Sequence, residues 1–281
     1  MTQEFLYKIA HPATGYRPGS HRSNGKGGGF EFREHALLMA DPDPRRLDLY
    51  ASLRHPYGAL MVRVFRQRRA LAVYVIADLS ASMGWCGVRR KLDVLADLAE
   101  STAGSAQRRG DAFAFIGANG AVLEELCVAP TRLRGWGQLI AERLRRHVPS
   151  GDSAGLRAAA LRLGRHRALV FLASDFHFPW PQLDLVLDAL ARHVVVPVVV
   201  WDPAEFEPAA GWGIEALLDL ESGKRRPIFM RPALRARMRL ARIRRQRELE
   251  ACCLRHGVRP LWLPDGFEAD RITQYFLDAH A

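Results

Sequence analysis

Two stretches of the chain, Leu71 to Ala77 and Ala168 to Ala173, carry apolar and β-branched residues with no polar alternation. Runs of that kind are strands buried on both faces. Val194 to Trp201 is a third. Between them apolar residues recur at helical spacing. Leu92, Leu95, Ala96, Leu98, Ala99 and Ala103 put one stripe on a helix from Arg89 to Arg108. Further helices are predicted over Gly137 to His147, Ala154 to Leu163 and Leu183 to Arg192. Asp111 to Gly117 and Ala121 to Cys127 read as strands around an Asn119-Gly120 hairpin turn. Strand and helix alternate regularly from Ala70 to Trp201, which predicts an α/β fold: a mostly parallel sheet with helices on both faces.

The flanks follow other patterns. Met1 to Arg22 is polar, with Pro12, Gly15, Pro18 and Gly19, and reads as an irregular arm. Asn24 to Gly29 is glycine-rich but lacks the Lys-Ser/Thr ending and the preceding strand of a phosphate loop, so it reads as a turn before a strand over Phe30 to Arg33. Leu49 to Arg54 is a short helix, and Leu60 to Arg66 alternates like a half-buried strand. Residues 1–69 are therefore expected to form an amino-terminal extension, and residues 70–281 the α/β domain. Late in the chain come a hairpin (Ile214 to Leu220 with Arg226 to Met230), an arginine-rich helix (Pro232 to His256), a strand (Val258 to Leu263) and a closing helix (Phe267 to Ala279).

Composition narrows the class. The 281 residues are 48% hydrophobic and 25% charged, as in a folded globular protein. No apolar run reaches the ~20 residues of a membrane helix. The start of the chain lacks a signal-peptide core, so a cytoplasmic location is expected. Cys86, Cys127, Cys252 and Cys253 have no zinc-finger spacing and read as free thiols. A net charge of +11 favours acidic partners without choosing among nucleic acid, lipid and protein.

The chemistry sits where the first buried strand ends. Asp78, Ser80 and Ser82 follow it at every second position, and Asp175 follows the second buried strand. Ligands of open α/β sheets bind just past the carboxyl ends of the strands. Hard oxygens gathered there are the kind that Mg²⁺ takes. The motif D-x-S-x-S resembles the metal-ion-dependent adhesion site of von Willebrand factor A domains. A narrower resemblance covers about the first third of the chain. Gly28 to Phe32, Arg46-Leu47-Asp48-Leu49, Val62 to Phe65 and Asp78 to Met83 follow the order and spacing of bacterial von Willebrand A proteins encoded beside MoxR-type AAA+ ATPases. Leu49 replaces that family's usual Trp. Ser174-Asp175-Phe176 is similar to its later S-D-F.

The resemblance implies a von Willebrand A-type domain that binds Mg²⁺ (or Mn²⁺) through Asp78, Ser80, Ser82, Asp175 and one hydroxyl of the Pro149 loop. Ser150, with Leu156 six places on, is the preferred loop ligand; Ser153, with Ala159, is the other. Met83, Gly84, Phe176 and His177 flank the ligands and are the expected partner contacts. The resemblance further implies a MoxR-type AAA+ ATPase partner, and a role in maturing or remodelling a client that bears an acidic residue. One branch of that family lies among methanol dehydrogenase accessory proteins. Two carboxylates and three neutral hydroxyls leave a divalent ion an open position for an outside carboxylate. Two other classes compete. A hydrolase needs a base at that position; His177 is the nearest, and no G-x-S-x-G elbow is present, so an interaction module is expected rather than an enzyme. Nucleic-acid binding would rest on the helix Pro232 to His256, whose arginines have no interleaved aromatics to stack bases.

Overall fold

A computed structural model of the chain describes residues 3–7, 18–202, 205, 213–218 and 225–278. For residues 18–31, 33, 66–69, 213–218 and 225–230 the structure describes the backbone. The chain forms two compact units: Ile9–Leu71, and Met1–Lys8 together with Ala72–Ala281.

In the smaller unit, β1 (Pro18–Leu37) pairs antiparallel with β2 (Met61–Arg69). The strand β1 is longer than the sequence pattern indicates. Its register shifts repeatedly, between Arg22 and Lys26 and between Lys26 and Glu31 among other places. Such bulges let a glycine-rich segment stay paired without an alternating face, so periodicity alone reads it as a turn. The helix α1 (Leu49–Arg54) starts from Asp48, whose Oδ1 accepts the N–H of Ala51 at 3.1 Å. The other oxygen of Asp48 accepts from Arg63 Nε at 2.6 Å and lies 3.1 Å from His35 Nε2. Asp48 of the upstream motif is thus a buried cap and ion-pair hub.

The larger unit is a doubly wound sheet. In chain order it comprises β3 (Ala72–Asp78), α2 (Lys91–Arg108), β4 (Ala112–Ala118), β5 (Val122–Thr131), α3 (Trp136–Arg146), α4 (Gly155–Leu161), β6 (Leu169–Ser174), α5 (Trp180–Ala189) and β7 (Val194–Val199). A separate hairpin of β8 (Gly213–Leu218) and β9 (Arg225–Met230) comes next, then α6 (Pro232–Arg255), β10 (Leu261–Trp262) and α7 (Ala269–Asp278). The six-stranded sheet has the order β10-β7-β6-β3-β4-β5. All its pairings are parallel except β4 with β5, the predicted hairpin. The winding reverses between β3 and β6, so that pair flanks the switch point where such sheets bind ligands.

The strand pleat sorts the core onto two faces. Tyr74, Ile76, Ile116, Val170 and Leu172 pack with α4, α5 and the second half of α6, including Leu156, Leu187, Leu249 and Cys252. Residues of the opposite parity, such as Val75, Phe115 and Phe171, are equally buried. On that side the Phe171 ring meets Phe5 at 5.7 Å and Phe276 at 6.2 Å. The sequence placed residues 3–7 in an irregular arm. Instead they pack against this face: the N–H of Phe5 donates to Ser105 Oγ at 3.0 Å, and the Tyr7 hydroxyl donates to Asp111. Two aromatic anchors in a short segment leave no periodic trace, which is why the pattern missed them. No helix among the described residues is long and apolar enough to cross a membrane.

One buried histidine gives this core a pH dependence. His193 Nδ1 accepts the N–H of Ala168 at 3.2 Å, so the ring is neutral. Burial, then the charges of Arg192 and Arg167, push its pKa from 6.5 to about 4. A histidine depressed in the folded state stabilises it fully above its unfolded value and loses that contribution as pH falls. Between pH 6.5 and 4 the protein is expected to lose roughly 2–3 kcal/mol through this group. His193→Asn keeps an acceptor and does not titrate. Urea midpoints against pH should fall less steeply for that variant; identical slopes would discount His193.

Candidate metal centre

Both acids of the sequence motifs leave neighbouring parallel strands at the same sheet edge, with Ala77 of β3 paired to Ala173 of β6. Past β3 the chain tightens at once. The N–H of Ser80 donates to Asp78 Oδ1 at 2.9 Å, and residues Ala81–Gly84 form a 3₁₀ turn. Past β6, Phe176 takes a positive φ of 53° and the N–H of His177 returns to Asp175 Oδ1 at 3.2 Å. The side chains then interlock. The Ser82 hydroxyl donates to Asp175 Oδ1 at 3.2 Å and lies 3.2 Å from Ser80 Oγ. The Ser174 hydroxyl donates to Asp78 Oδ2 at 2.6 Å and accepts the N–H of Phe176 at 2.9 Å. Asp78, Ser80, Ser82 and Asp175 therefore converge, with Ser174 as a brace.

The loop serines fare differently. Ser150 is exposed; its N–H donates to the carbonyl of Leu79 at 3.2 Å, and Gly151 O accepts the N–H of Ala81 at 2.9 Å. The Pro149 loop is thus laced to the D-x-S-x-S segment with the Ser150 hydroxyl open. Ser153 is buried, and its Oγ and carbonyl both accept from Gln182 Nε2, at 3.0 and 2.7 Å. That hydroxyl ties the loop to α5. Of the flanking residues, Gly84 and His177 reach the surface. Met83 and Phe176 are 1% and 0% exposed, so in this structure their side chains face the core and not a partner.

Sequence reading missed the groups that complete the site. Lys91, in the first turn of α2, is 1% exposed. Its ammonium donates to Asp175 Oδ2 at 2.8 Å, to Glu205 Oε1, and weakly to the Ser82 carbonyl at 3.4 Å. The signal was there: Lys91 precedes Leu95 by one turn, on the buried stripe. Asp202, past β7, accepts the N–H of Val88 at 2.7 Å and fixes the loop that delivers Lys91. Trp201 donates its indole N–H to the Asp175 carbonyl at 2.6 Å and stacks on His177, with 5.8 Å between ring centroids. Arg245 reaches in from α6, donating to the carbonyls of Phe176 and Phe178 at 2.6 and 2.7 Å while its guanidinium lies 3.6 Å from the Trp180 centroid. One arginine of the basic helix thus holds the loop after Asp175.

The electrostatics leave the cluster short of positive charge. Burial would raise Asp175, but Lys91 and then His177 outweigh it and hold the carboxyl below its ordinary value. Burial would lower Lys91, yet Asp175 and Glu205 hold the ammonium above its ordinary value. Asp78 is reached by neutral donors only; burial, then the charge of Asp175, push it up to about 6. Glu205 Oε2 is buried without a hydrogen-bond partner among the described residues, with His177 Nε2 at 3.8 Å. Lys91 takes Oδ2 of Asp175 and leaves Oδ1 turned to Ser82. An all-oxygen donor set with an uncompensated buried carboxylate fits a hard divalent cation.

The strand order, and the acids at its switch point, define a von Willebrand A-type α/β domain. The chain belongs to the family described as "Protein of unknown function DUF58", whose profile matches residues 40–249. It is 30% identical over 225 residues to the uncharacterized protein Rv1480 of Mycobacterium tuberculosis, covering 77% of this chain and 69% of that one. A protein of Paracoccus denitrificans, described as "Uncharacterized protein in moxR 3'region", is 32% identical over 99 residues, which is 35% of this chain and 94% of that one. Among solved structures, BatB from Bacteroides thetaiotaomicron is 13% identical with a TM-score of 0.46, covering 75% of this chain and 100% of that one.

Proposed function

We propose that this chain is a metal-dependent protein-interaction module of the cytoplasm. It works with a MoxR-type AAA+ ATPase to mature or remodel a client protein, such as a metal- or cofactor-containing enzyme. One observation carries the reading: Asp78, Ser80, Ser82 and Asp175 converge at the switch point around a carboxylate that lacks a counter-charge. The relative described by its place in the moxR 3' region supports the choice of ATPase.

Asp78, Ser80, Ser82, Asp175 and Ser150 would hold Mg²⁺ or Mn²⁺, which when bound supplies an electrophilic position for a client's Asp or Glu. This chain's own part is positioning. Ser174 fixes Asp78, Lys91 fixes Asp175, and Arg245 with Trp201 fixes the 175–178 loop. Gly84 and His177 rim the opening. His177 is stacked and faces Glu205, which favours a fixed contact over a mobile base, so the reading is non-catalytic.

The test is a pull-down of a MoxR-type AAA+ ATPase with and without chelator. The complex should dissociate in EDTA and in Ser82→Ala, and survive Arg239→Glu with Arg247→Glu, two exposed charges of α6 typically contributing up to about 1 kcal/mol each. Salt-sensitive binding to nucleic acid that resists chelation and is lost in the arginine variant would replace this reading with the nucleic-acid one.

A further inference from the structure

A second cluster of metal-binding chemistry lies away from the switch point, where the last turn of α6 meets α5. Asp184 and Asp188 are one turn apart on α5, and Cys252 and His256 one turn apart at the end of α6. That spacing puts each pair on one helix face. The ligand atoms of Asp184, Cys252 and His256 lie within 4.8 Å of one another. Cys252 Sγ is 3.3 Å from Asp184 Oδ1, and His256 Nε2 is 2.9 Å from the same oxygen. We propose that Asp184, Cys252 and His256 Nε2 form a site for a borderline transition ion, Zn²⁺ above all.

Sulfur, imidazole nitrogen and carboxylate oxygen are the three donors that Zn²⁺ combines, and a soft thiolate discriminates against Mg²⁺. Tetrahedral bonds of about 2.0–2.3 Å set ligand atoms roughly 3.3–3.7 Å apart. The observed 2.9 and 3.3 Å need shifts well below 1 Å to reach that spacing. Behind the imidazole, Asp188 Oδ1 lies 3.5 Å from His256 Nδ1. Nε2 now donates to Asp184 Oδ1; when it turns its lone pair to the ion, the ring proton sits on Nδ1 and Asp188 accepts it, the usual arrangement behind a metal-bound histidine. Access is open, since the Asp184 and His256 side chains are 35% and 20% exposed while Cys252 is buried. Arg255 Nη2 now lies 3.1 Å from Asp184 Oδ1, but its side chain is 60% exposed and free to withdraw into water.

Binding deprotonates the Cys252 thiol, releasing one proton to solvent, while His256 gives a lone pair and Asp184 a negative oxygen; water takes the fourth position. The ion clamps the end of α6 to α5. Arg245, the brace of the 175–178 loop, lies on the same helix two turns earlier.

Titration of the full chain with Co²⁺, in buffer free of Mg²⁺, tests this. A thiolate-to-cobalt absorption band in the near ultraviolet, with tetrahedral visible bands, should grow to one equivalent and bleach on adding Zn²⁺. Cys252→Ser and His256→Gln should lose the band, whereas Cys253→Ser and Asp78→Ala should keep it. Zn²⁺ should raise the thermal midpoint of the parent and not of Cys252→Ser. No thiolate band at saturating Co²⁺ overturns the proposal. So does a band that survives Cys252→Ser, or one that disappears with Asp78→Ala. If Cys252→Ser fails to fold by far-ultraviolet circular dichroism, His256→Gln decides alone.

Discussion

Lys91→Met is expected to destabilise the metal-free protein by about 3–5 kcal/mol at neutral pH, the usual cost of removing one partner from a buried ion pair. The ammonium and the Asp175 carboxylate are 1% and 0% exposed. Methionine fills similar space, so the loss is electrostatic more than steric. It leaves Asp175 and Glu205 facing each other without their shared cation. Adding Asp175→Asn should restore much of the stability, because the double variant buries fewer unpaired charges. Urea unfolding of the two singles and the double gives the coupling directly. A cost below about 1 kcal/mol for Lys91→Met, in the range of exposed pairs, would mean that water reaches the pair and that Lys91 does not organise the site.

Asp78→Asn should act in opposite senses on stability and on metal affinity. Mg²⁺ or Mn²⁺ affinity, followed by calorimetry, is expected to drop at least ~100-fold, the upper range seen when even an outer partner of a metal site is removed. The fold should persist in chelator. The residue is the last of β3, its hydrogen bonds come from Ser80 to Oδ1 and Ser174 to Oδ2, and the amide can keep the first through its oxygen while its NH₂ donates to the Ser174 hydroxyl. The carboxylate it replaces has no cation against it and sits beside charged Asp175. Removing a buried uncompensated charge does not cost stability. Unchanged metal affinity would take Asp78 out of the site. Unfolding of the variant would show that Asp78 serves the fold and not a ligand.

Some of this was legible from the chain because the signal is local. An apolar run followed at once by Asp78-x-Ser80-x-Ser82 states both that the strand is buried and that its carboxyl end is polar. The same logic placed Asp175. Strand parity carried the core as well, since β3, β4 and β6 cannot be buried on both faces without helices over each. Boundaries drifted by a few residues: α5 starts at Trp180 and not Leu183, because Pro179 and Pro181 begin a helix without belonging to an apolar stripe.

What escaped was everything that depends on a partner far along the chain. Lys91 lies on the buried stripe, but nothing local shows what neutralises it until β6 and the segment at 205 bring two carboxylates to it. Arg245 looks like one more arginine on a basic face until the 176–178 carbonyls are seen in its reach. The residue six places on gave Ser150 a preference over Ser153, but only the structure shows that Ser150 is exposed and that Ser153 is buried and bound to Gln182. Asp184, Cys252 and His256 are 68 to 72 residues apart in pairs across α5 and α6, so no spacing rule links them. The sequence by itself determined the strands and helices of the larger unit to within a few residues, which faces are apolar, and that two acids emerge at strand ends. Tertiary structure alone decided which polar side chains compensate one another. Periodicity reports the average environment of a face, whereas a buried charge is tolerated only where a distant group of opposite charge has been folded against it.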